Sequence, residues 1–189
     1  KINLIYDIDM GEKAKIKKIS FIGDKIFKDR KLRGIIVSEE YKFWKFISGK
    51  KFLNENILKL DERLLKNFYL NKGYYNVVIN SSFAKLIDEE DSSFELIYNI
   101  NANQKYVFNN ITLDLPIDFE KENFKDILNL FSKLKGQTYS LYIIENILDE
   151  IDKIILDEEY KTLESKVAEN IYENKIDLNF EVSEGQKFQ

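Results

Sequence analysis

Apolar residues recur along this chain with two different periods. Phe124, Ile127, Leu128, Phe131 and Leu134 fall at i, +3, +4, +7 and +10, and Ile144, Ile147, Leu148, Ile151, Ile154 and Ile155 follow the same rhythm. That spacing puts one apolar stripe on each of two helices, predicted from about Phe119 to Leu134 and from Ser140 to Glu158. Upstream, a short helix is expected over Asp29 to Val37 and a long one over Asn54 to Lys72. Elsewhere the period is two. Val77, Ile79 and Phe83 share one face of a predicted strand, with Val78, Asn80, Ser82 and Ala84 on the other. Leu96, Tyr98 and Ile100 form the matching face of the return strand. Stripes of this kind are core: each large aliphatic side chain taken out of water contributes about 1.5–3 kcal/mol before entropy is subtracted.

The pattern repeats. "INLIYDIDMGEK" at 2–13, "FELIYNINANQK" at 94–105 and "IDLNFEVSEGQK" at 176–187 end alike. Their terminal lysines, Lys13, Lys105 and Lys187, are 92 (105 − 13) and 82 (187 − 105) residues apart. Between them the order is strand, helix, helix, then a two-stranded hairpin, so each unit reads β-α-α-β-β. The predicted class is α+β, as tandem modules, each a three-stranded mixed sheet with two helices on one face. Residues 1–12 then read as the last strand of a preceding module, 13–103 and 104–187 as complete modules, and 188–189 as the start of another or a linker. Lys1 opens directly on a strand-like alternation, which is expected of a piece cut from something longer.

Composition narrows the chemistry. Of 189 residues 44% are hydrophobic, enough for one or two folded domains. The net charge is −4, from 29 basic and 33 acidic residues that are interspersed along the chain, so a phosphate-neutralising patch is disfavoured and no nucleic-acid partner is expected. There is no Cys and no His, which removes thiol and imidazole nucleophiles and the usual zinc ligands. No apolar run approaches the roughly 20 residues of a membrane-spanning helix. Asp88-Glu-Glu-Asp91 lacks the alternating donors and the glycine of a calcium loop and reads as a hairpin tip. No catalytic, cofactor-binding or metal-binding residue is assigned.

Gly73 stands one position past the long helix, where a left-handed backbone satisfies the last carbonyls, and Tyr74 should fold back on Phe68 or Tyr69. This stretch, "LLKNFYLNKGYYNVVI", together with "ISFIGDKIF" at 19–27 and "YKFWKF" at 41–46, resembles the POTRA modules of the BamA (Omp85) family of outer-membrane β-barrel assembly proteins. The resemblance covers the whole chain. It gives structural roles to Gly23 and Phe27, at the end of the first strand and just after it, and to Gly73 and Tyr74 at the helix end. The Trp44 loop in one unit and the Pro116 turn in the next look most like the third and fourth modules of that family. Three positions depart from its pattern: Asp24 replaces Asn, Glu159 stands where Gly is expected before Tyr160, and "LDLP" replaces the second Gly-Asn turn.

What the resemblance implies is a non-enzymatic, periplasmic part of an outer-membrane protein of a Gram-negative bacterium, with no cofactor. Its partners would be unfolded outer-membrane proteins and accessory assembly lipoproteins, and it would meet the membrane only through a C-terminal barrel outside these residues. In the β-α-α-β-β order the strand after the long helix is expected at a sheet edge, open to an added strand. The candidate edge is Val77, Val78, Ile79, Asn80, Ser81, Ser82 and Phe83, in a stretch free of charge and proline. Its counterpart at 161–170 carries Glu164, Lys166 and Glu169 and reads as guarded. Tyr41, Phe43 and Trp44 are a candidate partner surface, or else a cap on the core beneath the interhelical loop. Two other readings stay open. One is the POTRA segment of a two-partner secretion or translocation-and-assembly transporter; the other is a carboxylate-dependent enzyme, which would need two acids converging on a pocket.

Overall fold

The computed structural model describes residues 14–42, 54–88, 93–117, 119–157 and 163–184, with backbone alone at 81–88, 157 and 184. Two compact units emerge. One takes the described residues up to 66 together with 78–101; the other takes 67–77 together with those from 102 onward.

In the first unit, strand β1 (Lys15–Asp24) leads to the short helix α1 (Asp29–Arg33). Helix α2 (Glu55–Leu70) and the hairpin strands β2 (Val78–Asp88) and β3 (Ser93–Asn101) follow. Asn54 starts α2, its side-chain oxygen accepting from the amides of Asn56 at 2.9 Å and Ile57 at 3.3 Å. The sheet order is β1-β3-β2, with β3 central, parallel to β1 and antiparallel to β2. A register shift between Ile16 and Lys18 puts Ile16 and Ile19, three apart, on the same buried side. Phe21 of β1 stacks on Tyr98 of β3 with ring centroids 5.5 Å apart, and Leu32 and Leu65 close the core from the helices.

The second unit repeats the plan. Strand β4 (Val107–Asp114) is followed by a 3-10 turn (Lys121–Phe124), helices α3 (Lys125–Leu134) and α4 (Leu141–Asp157), and the hairpin β5 (Leu163–Tyr172) and β6 (Lys175–Glu184). The order β4-β6-β5 is again parallel on one side of the centre and antiparallel on the other. Phe108, Phe180 and Ile151 are wholly buried, and Phe131 of α3 stacks on Phe180 of β6 at 5.5 Å. The expected α+β class and mixed three-stranded sheets are therefore present in both units.

Four details differ from the sequence reading. Helix α1 stops at Arg33 and does not reach Val37, because the amides of Val37 and Ser38 are held by the Asp61 carboxylate and not by a helical ladder. Phe119 precedes the third helix, its amide closing a turn on the Pro116 carbonyl. Leu128, at the margin of its stripe, remains 38% exposed. The backbone register set at Ile79 does not run on to Phe83. One extra residue between Asn80 and Phe83 sets Phe83 opposite Ile97, where strict alternation would have set it opposite Leu96.

Candidate functional site

The end of α2 is closed by two reciprocal bonds. Gly73 N–H donates to the Leu70 carbonyl at 3.1 Å and Tyr74 N–H to the Tyr69 carbonyl at 3.0 Å, the paired pattern of a Schellman cap. Gly73 takes φ +89°, and a Cβ there would sit 2.5 Å from Thr138 Cγ2. The ring of Tyr74 folds back edge-on to Tyr69 with centroids 5.8 Å apart. At the end of β1, Gly23 has φ +85° and would bring a Cβ to 2.4 Å from the Ile100 carbonyl oxygen. Phe27, in the turn after it, is half-buried.

The strand after α2 lies at an edge: among the described residues β2 pairs with β3 alone. Of the candidate edge residues, Val77 falls outside it. Its amide donates to the Tyr74 carbonyl at 3.2 Å, its side chain is 6% exposed, and the strand begins at Val78. Val78 is 45% exposed and Asn80 is exposed, while Ile79 is half-buried. Ser81, Ser82 and Phe83 continue the strand through the register shift, and a second shift lies between Leu86 and Asp88. The missing charge is thus offset by bulges, another way in which natural edges resist unwanted pairing. The counterpart strand β5 is also an edge, and it runs in unbroken register with β6 from Leu163 to Tyr172, with Glu164 and Lys166 exposed.

Tyr41 is half-buried beneath the Lys15 ammonium, which stands 5.5 Å from its ring. Phe43 and Trp44 lie outside the described residues, as does most of Asp88–Asp91.

A group not singled out in the sequence is Asp61 of α2. It is fully buried and accepts from Val37 N–H at 2.5 Å, Ser38 N–H at 3.2 Å and Tyr98 O–H at 2.7 Å. Its place four residues before Leu65 on the apolar stripe is the signal that could have found it. Burial first, and then the bond to Asp61, push the Tyr98 phenol well above its usual range.

Two acids from separate strands, Glu169 and Asp177, line one depression of about 150 Å³ with Asn110, Thr112 and Asn179. Asp177 is held below the ordinary carboxylate range by bonds from the Asn109 side chain and the Asn110 amide, so it has no proton to give near neutrality. Glu169 accepts the hydroxyls of Tyr75 at 2.5 Å and Tyr139 at 3.3 Å. Both oxygens of the Glu169 carboxylate are thus engaged by phenols. Among the described residues no group of three or more acidic side chains could hold a metal ion, and no helix is long and apolar enough to cross a membrane.

The POTRA family profile, described as "Surface antigen variable number repeat", matches residues 14–103. These residues are a POTRA domain. The BamA outer-membrane protein assembly factor of Buchnera aphidicola is 24% identical over 183 residues, which is 96% of this chain and 29% of that protein. BamA of Nitratidesulfovibrio vulgaris is 20% identical over 190 residues, 97% of this chain and 23% of that one. The chain thus spans under a third of the length of either relative. Among solved structures, the POTRA3-5 segment of Haemophilus influenzae BamA superposes with a TM-score of 0.72 at 15% identity, covering 93% of this chain and 68% of that one. POTRA1-2 of the periplasmic domain of Omp85 from Anabaena gives 0.53 at 12% identity, covering 94% of this chain and 99% of that one. Both show the POTRA fold, and the second unit here carries the same β-α-α-β-β order as the matched domain.

Proposed function

We propose that this chain is a pair of periplasmic POTRA modules from an outer-membrane β-barrel assembly protein, serving as scaffold and as a receiver of unfolded barrel proteins and accessory lipoproteins. It does no chemistry of its own. Clients add a strand to the outer edge of β2, along Val78, Ile79, Asn80, Ser81, Ser82 and Phe83, and are read through backbone groups that every extended chain carries. The observation that carries this reading is the one-sided pairing of β2, whose only partner among the described residues is β3. The assembly-factor names of the relatives supply the client class.

The test is an amide NMR titration of the chain with a synthetic strand peptide from an outer-membrane barrel protein. Shifts concentrated at 78–86, with 163–170 quiet, are expected. Shifts confined to β5 would move the receiving edge to the second unit, and none at either edge would leave the modules as spacers and partner platforms.

A further inference from the structure

The repeat in the sequence and the compact units of the fold are out of phase. By sequence, residues 67–77 close the first repeat's long helix; by contact they lie in the second unit. There they are fastened at several points. The Gly73 carbonyl accepts from Tyr106 N–H at 2.8 Å, and Asn76 Nδ2 donates to the Tyr106 hydroxyl at 2.6 Å. The Tyr75 ring lies 5.7 Å from that of Tyr106 and edge-on to Tyr139 at 5.1 Å, and its hydroxyl reaches Glu169 of β5.

One contact replaces a group that a helix normally supplies for itself. Helix α4 opens at Ser140, whose carbonyl receives the amides of Ile143 and Ile144. The side-chain oxygen that caps the Tyr142 amide, at 2.7 Å, belongs to Asn71, and the Ser140 hydroxyl turns to the same atom at 3.2 Å. The cap residue of α4 has therefore given its usual acceptor role to an asparagine 71 positions before Tyr142.

We propose that residues 67–77 are a strap belonging to the second unit, so that its cooperative folding module begins at Asn67 and not near Lys105. The strap caps α4 through Asn71 and, through Tyr75, ties Tyr106, the residue just before β4, to Glu169 of β5. Its removal loosens the second sheet while leaving the first intact. In a tandem array this makes each module's stability depend on the helix end of its predecessor, a nearest-neighbour coupling.

The test uses the whole chain and amide hydrogen exchange. In Tyr75→Ala, amides of β4, β5 and the first turns of α4 should exchange about tenfold faster, while β1 and β3 of the first unit keep their rates. Asn71→Ala should give about fivefold at the start of α4, the loss expected for one helix cap. Tyr75→Phe, which keeps the rings and removes the bond to Glu169, should act on β5 alone and guards against a variant that fails to fold. Unchanged rates in the second unit for both Asn71→Ala and Tyr75→Phe would overturn the proposal. Faster exchange in β1 and β3 with β4 to β6 unaffected would also overturn it, returning the strap to the first unit.

Discussion

Asp61 does for a loop what a helix ladder does elsewhere: its carboxylate receives two backbone amides and a phenol in a site without solvent. Asp61→Ala would leave those donors unpaired and should cost about 3–5 kcal/mol. Asp61→Asn keeps an acceptor for the amides and should cost about 1–2 kcal/mol, since the Tyr98 hydroxyl can turn to accept. Urea unfolding of the two variants checks the order, and equal losses would refute the role given to the amides. The tyrosines allow a second test. Burial, and then Glu169, push the Tyr75 phenol up to about 12, and Tyr98 and Tyr139 are shifted upward in the same direction, chiefly by burial. Unfolded tyrosines ionise near 10, so above that pH the unfolded chain releases protons that the fold retains. The contribution of these tyrosines to stability should accordingly be constant below about pH 10 and be lost as pH rises beyond it. Absorbance at about 295 nm should show Tyr75, Tyr98 and Tyr139 ionising late, and Tyr75→Phe should remove the first of these. The sequence exposed the Gly73 cap because a glycine after a long stripe has few other uses. It did not expose Asp61, because charged neighbours such as Glu62 and Lys66 make the same stretch read as a solvated face.

The helices were legible because their stripes are long, and a misplaced residue such as Leu128 does not disturb the period. Strand β2 was legible as a strand and as an edge, but its phase was not. Asn80, Ser81 and Ser82 are small or polar, and nothing in them declares which residue has no partner; only the pairing of Phe83 with Ile97 does. Deleting Ser82 should remove the extra residue and give β2 a regular outer ladder through Leu86. That edge, uncharged up to Ala84, should then pair with copies of itself, so the deletion variant is expected to self-associate more than the parent chain in sedimentation velocity. An unchanged distribution would mean that the bulge does not guard the edge. For a client the same bulge limits the grip: a strand in register with 78–80 is out of register with 83–86 unless it carries an extra residue of its own.

At the scale of the molecule, the tandem β-α-α-β-β order was readable from three related strand endings, while the fastening of residues 67–77 into the second unit was not. Repeats report ancestry, whereas contacts report packing, and Asn71 and Tyr75 look like an ordinary helix end and turn until Tyr142 and Glu169 are seen beside them. In both units the central strand is the last in sequence: Lys18 of β1 meets Glu95 of β3 across 77 residues. A chain ending at Asp88 should therefore lose the amide protection of β1 as well as that of β2, and hydrogen exchange on that truncation checks it. Partial protection of β1 would show that the helices alone can hold it. Timing follows from this arrangement. A chain delivered N-terminus first into its compartment has no sheet to lay its helices on until the final strand arrives, and then each module shuts in one step; one halted short of that strand stays as open as any client.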